Sequence, residues 1–330
     1  MRGIMRVYEA MLEERDGKFS IPIAISAEYG CRNPNGKKAG RDPSYQFAAI
    51  HMLLDALLQS CKILGIEPKP FWLEMRKKVP PYTTLGGQDQ YSNPEKRIAV
   101  WKDQDLEYCH RHHSHLACVY PFDTLSLTDD PEKEMIVQNS VDHWVHKGMG
   151  EWSEWCLPWA AIIQTRMGFN DSPAILMHLW REIFVNEGMT TAYLPRFLGI
   201  TVHRRPDMLK PKETSEVMQL DGTMGGATAL MEMLAHTHSG VTNVFQGVPS
   251  KWKDVSFKNI WLPGPFRISG SRVGGIVENV TVESFGGNTL KLNVSGLDKI
   301  KMTKGGSSPE IKLPAAITMK KGETIVFAEK

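Results

Sequence analysis

Apolar residues in the first 240 positions recur at spacings of three and four, and beyond residue 240 they recur at every second position. The first spacing keeps one face of an α-helix apolar; the second keeps one face of a β-strand apolar. Phe47, Ile50, Leu54, Leu57, Leu58, Cys61 and Leu64 form one helical stripe. Asp42-Pro43 ahead of it reads as an N-cap followed by proline at the first helical position, and Gly65 as a left-handed stop. Asp130-Pro131 opens a second stripe through Ile136, Val137, Val141, Trp144 and Val145, stopped by Gly148. Trp152, Trp155, Cys156, Trp159 and Ile163 make a third. Ser172-Pro173 caps a fourth, with Leu176, Leu179, Trp180, Ile183 and Phe184. A fifth follows Gly225-Gly226, carrying Ala229, Leu230, Met233 and Leu234, and residues 7–12 read as the tail of another helix.

After residue 240 the alternating pairs are Val255/Phe257, Phe266/Ile268, Val280/Val282, Leu290/Leu292/Val294, Ile300/Met302 and Ile325/Phe327. Glycine-containing turns such as Pro263-Gly264, Gly286-Gly287-Asn288 and Lys321-Gly322-Glu323 separate them. The pattern predicts short antiparallel strands in a small β-sandwich. The fold class is therefore mainly α with a C-terminal all-β domain, divided as residues 1–240 and 241–330.

Composition narrows the classes. Apolar content of 42% and charged content of 23% in 330 residues are ordinary globular values and exclude a disordered chain or a small disulfide scaffold. A net charge of +2 argues against a nucleic-acid partner held by bulk electrostatics. There is no unbroken apolar run of about 18 residues, so no membrane span is expected. The basic start lacks the apolar core of a signal peptide, because Glu9, Glu13 and Glu14 interrupt it, and localisation stays open. The five cysteines include no CxxC pair and read as free, mostly buried thiols.

Three segments carry chemistry. His110-Arg111-His112-His113-Ser114-His115 concentrates four imidazoles and a guanidinium. It fits a metal site, a set of donors to sugar hydroxyls, or a polar loop with some core histidines. In Gln219-Leu220-Asp221-Gly222-Thr223-Met224-Gly225-Gly226, an aspartate sits in a glycine-flanked loop that feeds a helix N-terminus. It reads as a ligand-facing carboxylate or as a simple Asp turn. Phe19 to Gly30 is an apolar run ending in Glu28 beside Tyr29. Apolar burial would raise the Glu28 pKa towards what a general acid needs; a solvated glutamate at a strand end is the alternative.

Taken in order, these segments resemble glycoside hydrolase family 95, the α-L-fucosidases, some of which prefer L-galactose. Ser26-Ala27-Glu28-Tyr29 resembles the family's Ser-Pro-Glu segment. His110-Arg111-His112-His113-Ser114-His115-Leu116, followed by Tyr120-Pro121, fits its His-Arg-His-x-Ser-His-Leu with Tyr-Pro. Gly150-Glu151-Trp152-Ser153 is similar to Gly-Trp-Ser with an inserted Glu, and Gln219-Leu220-Asp221-Gly222 fits Gln-Ile-Asp-Gly. Val248-Pro249-Ser250-Lys251-Trp252 is similar to the family's Leu-Pro-x-x-Trp lead into a C-terminal β domain. Ala27 stands where the family has proline, and Thr223 where it has asparagine.

The resemblance implies a partial (α/α)6 barrel over 1–240, with Met1 falling about halfway into it, followed by the β domain. It implies inverting hydrolysis of terminal L-fucosyl or L-galactosyl linkages in oligosaccharides, with Glu28 as general acid and Asp221 helping to activate water. An inverting pair needs about 6.5–9.5 Å between its carboxyls. Arg111, His112 and His110 would bind sugar hydroxyls, and Tyr29 and Trp152 would line the pocket. No metal and no cofactor is expected. The family's water-activating Asn pair lies upstream of the acid, so the chain alone is expected to be weak or inactive, and to self-associate or take up a separate N-terminal half. A non-catalytic carbohydrate-binding fragment and a metal-dependent hydrolase built on the histidines are the rival readings.

Overall fold

The computed structural model describes residues 1–30, 38–86, 95–125, 130–197, 199–202 and 217–329. Two compact units divide the chain: Met1–Trp152 with the described part of Gly199–Arg205, and Ser153–Leu198 with the described part of Pro206–Lys330.

The first unit opens with α1 (Arg2–Met11), the hairpin β1 (Glu13–Arg15) and β2 (Lys18–Ser20), then α2 (Ser44–Leu64) and α3 (Pro70–Lys78). Most of the stripe predicted for α2 is its buried face: Phe47, Ile50, Leu54, Leu57 and Cys61 join Met5, Phe19, Ile21, Trp72 and Met75 in one core, Leu58 packs partly against it, and Leu64 at the last turn is exposed. Among the described residues α2 is the one helix whose length and composition would suit a membrane span, and half of it is buried in the protein. Gly65 ends it in the left-handed conformation (φ 63°), as predicted. Asp42 is not its cap. Pro43 holds that position, and the Asp42 carboxylate instead accepts from the Ile21 amide and the Ser20 hydroxyl, both at 2.7 Å. β3 (Thr84–Leu85) and β4 (Arg97–Ile98) form a second small hairpin, against which α4 (Pro131–His146) packs. Asp130 does cap α4, accepting from the Lys133 amide at 3.2 Å.

The second unit holds α5 (Cys156–Arg166), α6 (Asp171–Phe184) and α7 (Leu220–Leu234), which pack against one another. Arg166 on α5 grips Glu232 on α7 with two bonds of 3.0 and 2.9 Å. The β region starts earlier than the sequence pattern indicated, with β5 (Ala235–His238) and β6 (Val241–Val244). It continues with β7 (Val255–Leu262), β8 (Phe266–Val273), β9 (Ile276–Ser284), β10 (Thr289–Val294), β11 (Lys299–Thr303), β12 (Glu310–Lys312), β13 (Ala315–Thr318) and β14 (Thr324–Ala328). A six-stranded sheet of order β12-β11-β14-β9-β8-β7 and a four-stranded sheet of order β13-β10-β6-β5 share one core, in which Ile268, Val280 and Val282 meet Val244, Leu290 and Leu292. One pair departs from the antiparallel expectation: β6 and β10 run parallel, because β10 pairs with β6 only after an excursion through the other sheet.

A helix-rich region followed by a distinct β region is thus the architecture, matching a partial α-barrel plus β domain. Among the described cysteines, Cys61, Cys118 and Cys156 are buried and Cys109 is half-buried, all as free thiols; Cys31 lies outside the described residues.

The glycines of the fifth stripe lie inside α7 rather than ahead of it. At Gly226 a Cβ would land on the indole ring of Trp180 on α6, so the bare Cα is what lets the helices approach. Intrinsic propensity favours alanine by about 1 kcal/mol in a helix interior, but overpacking a fitted contact costs about 1–3 kcal/mol. Gly226→Ala is therefore expected to lower the denaturation midpoint. Gly225→Ala, whose Cβ would meet only Pro158 at 3.3 Å, should leave it unchanged or raise it. Urea titrations of the two variants check this, and a stabilised Gly226→Ala would contradict it.

Candidate active site

Glu28 sits in a turn that its own sequence does not favour. The backbone there is left-handed (φ 56°), a region costly for a residue with a Cβ. Two hydrogen bonds, one buried and one part-buried, hold the turn from behind. His110 Nε2 donates to the Ala27 carbonyl at 2.8 Å, and the Ser26 and Ser114 hydroxyls bond at 2.7 Å. Both come from the His-rich segment, where Ser114–Leu116 winds into one 3₁₀ turn. That turn splits the segment: His110, His113, Ser114 and His115 are buried, while Arg111 and His112 lie beside Glu28.

Arg111 Nη2 and His112 Nε2 converge on the same carboxylate oxygen, Oε2, the imidazole at 3.2 Å. Glu28 is 54% exposed, against 14% for Arg111 and 22% for His112. The expected apolar burial of Glu28 is therefore not found, and its pKa does not rise. Desolvation, the largest single effect, raises it, but the His112 hydrogen bond and the Arg111 charge and hydrogen bond together outweigh that and hold the carboxyl below the usual glutamate value. Burial pulls His112 below the ordinary imidazole value despite the carboxylate beside it, so the free site presents a carboxylate, a guanidinium and a neutral ring.

The other predicted residues pack rather than line. Tyr29 is 3% exposed; its hydroxyl donates to the Asp105 carbonyl at 3.0 Å and accepts from the Glu107 amide at 2.9 Å. Its ring stacks on Tyr108 at 4.8 Å. Below it Arg97 pairs with Asp105, whose carboxyl stays low because that guanidinium overrides the upward push of burial. Trp152 is 4% exposed, stacked on Trp144 at 5.5 Å and tilted against His113 at 4.8 Å. An aromatic sugar platform from Tyr29 or Trp152 is thus not present; both rings are already covered by neighbours. His110, pushed down to about 4 by burial, uses Nε2 on the Ala27 carbonyl and so braces the turn.

Asp221 belongs to the second unit. It is the second residue of α7, not a loop residue, and it is exposed. Its Oδ1 accepts from the Gly222 amide at 3.1 Å. Residues 191–193 clamp the strand-like lead-in: the Gln219 amide donates to the Thr191 carbonyl at 3.0 Å, and the Tyr193 amide to the Val217 carbonyl at 3.1 Å. Close by lies a carboxyl that sequence reasoning missed. Glu154 is fully buried, and burial first, then the charge of Asp221, push it up to about 8. The available signal was a lone acid within Trp152-Ser153-Glu154-Trp155, where both neighbouring tryptophans belong to an apolar stripe.

Removing the Arg111 charge should release Glu28. Arg111→Met, which keeps most of the stem, is expected to move the Glu28 titration midpoint upward in a carbon-detected NMR titration. An unmoved midpoint would mean that the ion pair does not hold the carboxylate.

Comparison with known proteins adds one match. The family model described as the glycosyl hydrolase family 95 catalytic domain covers residues 1–234. No curated protein matches the chain. The match spans both segments that build the sites above, and it implies hydrolase chemistry on substrates of the oligosaccharide type. Over most of its length, then, this chain belongs to glycosyl hydrolase family 95.

Proposed function

We propose that the protein hydrolyses terminal L-fucosyl or L-galactosyl linkages in oligosaccharides with inversion, the helix-rich region carrying the chemistry and the β region that begins with β5 forming an accessory domain. The observation that carries this reading is the convergence of Arg111 and His112 on Glu28, within a chain of this family. Glu28 donates a proton to the glycosidic oxygen as the bond to the anomeric carbon breaks. Asp221 takes a proton from the water that attacks the opposite face of that carbon. Each carboxyl ends in the protonation state the other began with, and solvent resets both.

Glu28 must first gain a proton, which its resting contacts oppose. Sugar hydroxyls are acceptors for Arg111 and His112, which carry donors suited to them. When those donors turn to the sugar, Glu28 loses the two contacts that keep it ionised, and the bound ring removes water from it. Both changes raise its pKa. The substrate itself thus arms the acid, and an empty site does not hold a proton to waste.

The resting ionised Glu28 also supports a second reading, a carbohydrate-binding protein in which the cluster grips a sugar without cleaving it. Incubation with a fucosyl oligosaccharide separates the two. The first reading expects free sugar, with the inverted anomer appearing first by NMR. It also expects Glu28→Gln and Asp221→Asn each to lose about 10²–10⁴-fold in kcat, the range of a general acid–base contribution. Calorimetric binding of L-fucose with no turnover would favour the second reading and overturn the first.

A further inference from the structure

Glu154 is fully buried, and neither of its carboxyl oxygens has a well-formed hydrogen bond. The Ser153 hydroxyl and its own amide approach it without satisfying it. Its side chain occupies the space that a Cβ at Gly222 would need: such an atom would land on Glu154 Cγ and come within 2.8 Å of Thr191 Oγ1. Gly222 in turn donates its amide to Asp221. One glycine therefore carries Asp221 on one side and rests on Glu154 on the other. Thr191 completes the seat, its hydroxyl donating to the Gln219 carbonyl at 2.5 Å and meeting Thr223 Oγ1 at 3.0 Å. Among the described residues, the charged group whose field acts on Glu154 is Asp221, a like charge. An ionised carboxylate this deeply buried, with an anion for a neighbour, is a state proteins avoid by keeping the proton.

We propose that Glu154 is a positioning residue for Asp221: it stays un-ionised behind the first turn of α7, packed against Gly222, and seats that turn without placing a second negative charge beside Asp221. The catalytic consequence rests on the reading of Asp221 given above; the protonated state of Glu154 does not. The linkage follows from a carboxyl pushed up from 4.5 to about 8. The folded state binds the extra proton between those values, so the stability Glu154 permits is complete below pH 4.5 and is lost as pH rises towards 8.

Glu154→Gln keeps the shape of the neutral acid and cannot ionise. The infrared difference between wild type and this variant at pH 7 should contain the carbonyl band of an un-ionised carboxylic acid. The stability of wild type relative to Glu154→Gln should fall between pH 4.5 and 8 and level off beyond. Asp221→Asn, which leaves the packing of Glu154 intact, should move the upper end of that window down. A difference spectrum showing only carboxylate, or a stability difference independent of pH, overturns the proposal. Where fucosides are cleaved, the fall of kcat near pH 8 should be absent in Glu154→Gln, and an unchanged alkaline limb overturns the positioning role. A neutral band in a protein that cleaves no fucoside would sink the catalytic reading while leaving the un-ionised state of Glu154 intact.

Discussion

The Glu28 turn depends on bonds made far along the chain. His110 to Ala27 spans 83 residues, and Ser114 to Ser26 spans 88. Local sequence cannot supply this, since a left-handed residue with a side chain costs about 1–3 kcal/mol. A buried hydrogen bond contributes about 0.5–1.5 kcal/mol net, so the pair is of the right size to offset the strain. Breaking either would leave a buried carbonyl or hydroxyl unpaired as well. The orientation of the carboxylate towards Arg111 and His112 is therefore a tertiary property. It exists only once the His-rich segment has folded against the turn.

The two glutamates show how opposite surroundings sort two identical side chains. Glu28 is exposed and meets two nitrogen donors; Glu154 is sealed and meets an anion. Attraction wins at Glu28 because the hydrogen bonds and charges of His112 and Arg111 together outweigh desolvation, although desolvation is the largest single effect there. At Glu154 desolvation outweighs the weak approach of its own amide and the Ser153 hydroxyl, and the like charge adds to it. Elevation of a carboxyl, the feature sought at Glu28 in the sequence, is thus present in this protein at a different glutamate.

Much of the fold was legible because burial imposes a period. The stripe of α2 as far as Cys61, that of α4 as far as Trp144 and the alternating pairs of β8, β9, β10 and β14 bury most of the positions that the pattern marked, while Leu64 and Val145 at the helix ends are exposed. What escaped was set by contacts rather than by period. In α3 the buried positions are Trp72 and Met75 alone, too few to raise a signal among four charged residues. Asp42 looked like a cap because it precedes a proline, yet its carboxylate serves the Ile21 amide. The glycines of α7 looked like a loop because propensity disfavours them in a helix; Glu154 and Trp180 are the side chains that need them there. At the candidate site, three residues that the motif letters singled out, Glu28, Arg111 and His112, lie in contact. The letters could not show that Tyr29 and Trp152 face inward, because a letter does not carry the direction of a side chain.

That limit also explains why one short segment holds so many histidines. A neutral imidazole is a rigid ring with one donor and one acceptor. His110 spends its donor on Ala27, and His113 accepts from the Trp144 indole at 3.1 Å. Leucine at either place would fill the space but orphan a buried polar partner; lysine or arginine would bring a charge into the core. Burial holds His110 at about 4 and His115 at about 3, so these rings stay uncharged near neutral pH. The only cation the segment then presents to Glu28 at that pH is Arg111, because His112 is also depressed. A segment that looks polycationic in sequence thus presents one positive charge, Arg111, to Glu28, which is why one exposed carboxylate can balance it.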